Sequence, residues 1–125
     1  MSLRLIAKFS LVLSLFLTQY AYANVITNIA CPPSSVVPPL AAKIDTAILF
    51  DKAYIAGSSV YAYNENGINW RVATALNANS KKQAIQLGQE AVKKVSYGKS
   101  KVAVKSGQLM YCNYGPTEVW LETYG

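Results

Sequence analysis

A single pair of cysteines, Cys31 and Cys112, constrains this chain of 125 residues more than any other feature. If joined, they close a loop of about 80 residues, and chain-entropy arithmetic puts the stabilisation near 4.5 kcal/mol. Small domains hold only about 5–15 kcal/mol in total, so one such bond is a large share. The cysteine count is even, no C-x-x-C spacing occurs, and histidine is absent. Thiol redox chemistry and zinc binding therefore lack their usual parts, and a structural disulfide between Cys31 and Cys112 is expected. A structural disulfide implies an oxidising compartment.

The N-terminus reads as the route there. Arg4 and Lys8 form a short positive region, and Phe9 to Leu17 is apolar apart from Ser10 and Ser14. Ala21-Tyr22-Ala23 then supplies small residues at the −3 and −1 positions of a cleavage site. The apolar stretch is too short for a span of about 30 Å of hydrocarbon, and Gln19 and Tyr20 follow it closely. Lipidation at Cys31 is disfavoured because the apolar stretch ends well before Ala30. The expectation is a signal peptide at 1–23 and a single small disulfide-stapled domain at 24–125, periplasmic or secreted, with no membrane anchor after cleavage. Loss of Arg4 and Lys8 lowers the net charge from +6 to +4. Five lysines between 93 and 105 read as a solvated helix end and loop, so no nucleic-acid partner is expected.

Periodicity supplies the elements. The proline-rich run at residues 32–39 suggests an extended, polyproline-like arm, and residues 40–56 are apolar and ambiguous between helix and strand. Val60-Tyr61-Ala62-Tyr63 and Ile68 to Val72 flank Asn66-Gly67, a strong hairpin signal that sends Trp70 into the core. Ser80-Lys81-Lys82-Gln83 is a capping box opening a helix with an apolar stripe at Ala84, Leu87, Ala91 and Val95 and a stop at Gly98. Val102 and Val104 alternate with lysines, as in a charged edge strand. Leu109 to Tyr114 and Glu118 to Thr123 read as a second hairpin about Gly115-Pro116. The fold class expected is α+β: an antiparallel sheet of two hairpins with one amphipathic helix packed on one face.

Little catalytic equipment is visible. There is no G-x-S-x-G, P-loop or calcium-loop pattern. Glu118 and Glu122 are about 13 Å apart if both lie on one strand, too wide for a glycosidase pair. A non-enzyme is expected, without a metal. Seven tyrosines remain after residue 23, and tyrosine on exposed strands combines apolar area with a polar tip. Tyr111, Tyr114 and Trp120 are the candidate ligand or contact residues. Tyrosine also ligates haem iron, so haem is the one cofactor considered, with Tyr111 and Trp120 sharing a face on which a flat ligand would stack.

Cys31-Pro32, Gly67 to Trp70 and Cys112-Asn113-Tyr114 together resemble features of small exported Gram-negative proteins known only as domains of unknown function, some of them labelled haem-binding. The resemblance implies an exported one-disulfide protein and brings no catalytic residue. The function expected is an exported, non-enzymatic binding or interaction protein with an unknown protein or small-ligand partner. The alternatives are a haem carrier and an inhibitor of an envelope or secreted enzyme acting through the Asn64–Gly67 turn.

Overall fold

The computed structural model describes residues 24–124; the segment read as a signal peptide lies outside the described residues. Nine strands form an antiparallel sheet. They are β1 (Asn24–Ala30), β2 (Thr46–Phe50), β3 (Ala53–Gly57), β4 (Tyr63–Glu65), β5 (Ile68–Leu76), β6 (Tyr97–Gly98), β7 (Val102–Ser106), β8 (Leu109–Gly115) and β9 (Val119–Tyr124). One helix, α1 (Lys81–Lys93), and 3-10 turns at Ser34–Val36 and Pro38–Lys43 complete the chain. The main path across the sheet runs β1-β7-β8-β9-β5-β3-β2, with β4 added to β5 and β6 to β8.

The protein is thus mainly β, which corrects the α+β expectation of two hairpins and a helix. Two segments account for the difference. Asn24–Ala30 scatters polar residues along its length and shows no strict alternation, so its strand is visible only once β7 pairs with it. Residues 46–57 form a hairpin whose turn is Asp51-Lys52, with Asp51 at φ 59. Asp tolerates that left-handed geometry, but no Asn-Gly announces it. Since β1 covers β7, the lysine-flanked strand expected at an edge is interior.

The legible elements formed where their chemistry demands. Glu65 pairs with Ile68 around Asn66 at φ 53 and Gly67 at φ 81, a two-residue turn with both central residues left-handed. Ser80 Oγ accepts from Gln83 N–H at 3.1 Å, and Gln83 Oε1 accepts from Asn79 N–H at 2.6 Å, closing the cap from both sides. The helix ends at Lys93, and Gly98 belongs to β6. The proline-rich arm folds into 3-10 turns because a proline φ near −65° suits a tight helical start as well as an extended strand. Burial of Val37, Leu40 and Ala41 decides between the two.

Alternate residues of each strand divide the sheet into two faces. The inner face presents Ala56, Trp70, Val72, Thr74, Val119, Leu121, Cys112 and Tyr114, all essentially buried. Helix α1 and the 3-10 turns pack on this face. Gly88 permits the approach: a Cβ there would stand 2.8 Å from Ala56 Cβ and 3.3 Å from Thr74 Cγ2. The disulfide joins Cys31 to Cys112, Cα atoms 5.8 Å apart, and pins the segment after β1 to β8. This bond is what an exported chain carries in an oxidising compartment.

Candidate functional site

The outer face carries the other half of every strand, and no element among the described residues lies across it. Because β5 and β9 pair Arg71 with Glu122 and Ala73 with Trp120, these four side chains meet along one seam near the middle of the sheet. The next strand sets Tyr111 opposite Glu122 and Asn113 opposite Trp120. Beyond them, Val104 lies opposite Tyr111 and Ile26 opposite Val104. One register row therefore reads Arg71, Glu122, Tyr111, Val104, Ile26.

The charges in that row are held by different neighbours. The guanidinium carbon of Arg71 lies 5.2 Å from the centre of the Tyr61 ring, a cation–π geometry. Its Nε is buried without a hydrogen-bond partner among the described residues. The Glu122 carboxylate accepts from Trp120 Nε1 at 2.7 Å. Burial pushes the Glu122 carboxyl above its ordinary range, against the Trp120 hydrogen bond and the Arg71 charge, which pull it down. The salt bridge found among the described residues is Lys93–Glu90, on α1; Arg71 and Glu122 do not close one. Desolvation likewise raises the Tyr111 hydroxyl.

Of the residues singled out from the sequence, Tyr111 and Trp120 share this face, half-buried. Tyr114 is on the other: its ring is 1% exposed, and its hydroxyl donates to Pro32 O at 2.6 Å. Tyr114 thus ties the start of the proline-rich segment to the core beside Cys112. Arg71 and Tyr61 escaped the sequence reading as site residues. The alternation about Trp70 and Val72 already puts Arg71, with Asn69 and Ala73, on the outward face, but its neighbour Glu122 comes from a pairing 51 positions away along the chain, which no local pattern encodes.

A cavity of about 300 Å³ opens at the end of the sheet beside the Asn66-Gly67 turn, between Tyr61, Ile68, Met110, Thr123 and Tyr124. That volume is at the lower end of ligand pockets, about 300–1,000 Å³. Tyr111, Tyr114 and Trp120 do not line it. Among the described residues no three His, Cys, Asp or Glu side chains gather as metal ligands. Against known protein families, curated proteins and solved structures, the chain finds no match.

Proposed function

We propose that the protein is an exported, non-enzymatic interaction protein whose working surface is the outer face of its sheet. One observation carries this reading. Arg71, Trp120, Tyr111 and Tyr61 cluster on a face that no described element covers, and Trp, Tyr and Arg are the residue types on which protein interfaces concentrate their binding energy. The rim of Ile26, Ile48 and Val104 adds apolar area, with Ile26 and Ile48 well exposed. Export through cleavage after Ala23, into the periplasm or beyond, supplies the compartment in which Cys31 and Cys112 pair.

The test is site-specific photo-crosslinking in the producing cell. A crosslinker at Asn113, exposed on the outer face, is expected to trap an adduct; one at Gln86, exposed on α1, is not. Adducts from Gln86 alone contradict the proposal. Adducts from Asn66 alone move the contact to the turn and favour an enzyme inhibitor. In parallel, a saturable Soret shift lost in Tyr111→Phe replaces the interaction reading with a haem carrier.

A further inference from the structure

We infer that the occupant of the outer face is a second copy of this chain, docked about a twofold axis that runs along the β5–β9 seam; the inference rests on reading that face as the working surface. A homodimer of this kind is isologous, so every contact must be reciprocated. The seam is built for that. A half-turn about an axis parallel to the strands exchanges β5 with β9, and it leaves height along the strand unchanged. Arg71 and Glu122 are directly paired, at one height. The operation therefore sets Arg71 of each copy over Glu122 of the other, giving two reciprocal charge pairs.

The second register pair obeys the same rule in shape. Ala73 and Trp120 also share a height, so each indole faces the small side chain of the other copy. A bulge meets a hollow on both sides of the axis. Ala73 is itself 6% exposed.

Neither charge is paired with the other within one copy. Arg71 rests on Tyr61 and Glu122 on Trp120, and they form no salt bridge with each other. The seam also lies at the middle of the path, with β8, β7 and β1 on one side and β3 and β2 on the other. Stacked sheets thus overlap across most of their width. The six strands that overlap about this axis, at about 4.8 Å spacing and a useful strand length of about 20 Å, give roughly 570 Å² of face per copy. Doubled, this is about 1,100 Å², just past the roughly 1,000 Å² that a specific interface needs. The dimer is accordingly a weak, reversible one.

Charge reversal tests the axis itself. By sedimentation equilibrium, the exported protein should show reversible monomer–dimer behaviour. Arg71→Glu and Glu122→Arg should each weaken the dimer by at least about tenfold, because like charges then face one another twice. Mixed in equal amounts, the two variants should dimerise with each other: one copy then presents only carboxylates at the seam and the other only guanidinium groups. Near-UV circular dichroism checks that each variant is folded, and Asn113→Arg, set outward beside Trp120, is a second way to block the face. A wild-type protein that stays monomeric overturns the inference. So does a mixture of folded variants that does not associate. If the wild-type protein is monomeric while Asn113 crosslinks to a different protein, the second copy is excluded and the outer-face reading stands. Monomer together with no Asn113 adduct removes both.

Discussion

The two faces of one sheet are made from the same strands, one residue apart, and they are finished differently. On the inner face Trp70, Val72, Leu121 and Val119 are almost wholly buried, and two polar side chains there reach backbone carbonyls. Thr74 Oγ1 donates to Glu118 O at 2.6 Å, and the Tyr114 hydroxyl to Pro32 O. On the outer face a guanidinium nitrogen has no acceptor among the described residues, burial pushes a carboxyl above its ordinary range, and a tryptophan and a tyrosine are left half-covered. The contrast teaches that helix α1 and the 3-10 turns cover one side only.

Each face contributes one tryptophan, which makes the sharpest break point. Trp70→Ala is expected to cost about 3–5 kcal/mol of stability, because the indole is 1% exposed and leaves a large cavity. Trp120→Ala should cost clearly less and act on association instead. Equal losses in chemical denaturation would erase the distinction between the faces. The staple belongs to the inner side: replacing Cys31 and Cys112 by alanine together should cost about 2–5 kcal/mol, read as a lowered midpoint.

Gly88→Ala sharpens the inner face further. Alanine is normally the better helix former by about 1 kcal/mol. Here its Cβ would meet Ala56 Cβ at 2.8 Å, and backing the helix off the sheet reverses the sign. A net loss of about 1–3 kcal/mol is expected; a gain would mean that α1 packs less closely than described.

The smallest effect has the opposite direction and belongs to the outer face. The folded-state pKa of Glu122 is raised by burial above its unfolded value, so the native state holds the proton to higher pH. Stability therefore falls as pH rises through that window, and above it the ionised carboxylate is a net cost. Glu122→Gln, which keeps an acceptor for Trp120 Nε1, should stabilise the dilute monomer at pH 7. The advantage should vanish below about pH 4, where the unfolded chain is protonated too. Thermal melts of both proteins across pH check this, and a destabilised Gln variant at pH 7 contradicts it.

Legibility in the sequence followed the range of the interactions. The Asn66-Gly67 turn and the Ser80–Gln83 cap depend on residues within four positions of one another, and both were readable. Trp70 was placed inward by the alternation of β5 alone. Strand β1 was not readable, because its pairing with β7 joins residues about 80 positions apart and its own pattern is irregular. The β2–β3 turn hid behind an aspartate in a conformation more typical of glycine. At the candidate site, Tyr111 and Trp120 could be put on one face from parity within their hairpin, whereas Arg71 joins them only through the β5–β9 register.

Acrylamide quenching of tryptophan fluorescence, in the protein carrying Trp70→Phe or Trp120→Phe, tests the division of the sheet into a closed and an open face most directly. With Trp120 as the sole tryptophan, quenching should be efficient in dilute protein and should weaken as concentration rises and the outer face is covered. With Trp70 as the sole tryptophan, it should be poor at every concentration. Trp120 as protected as Trp70 in dilute monomer would contradict the open outer face.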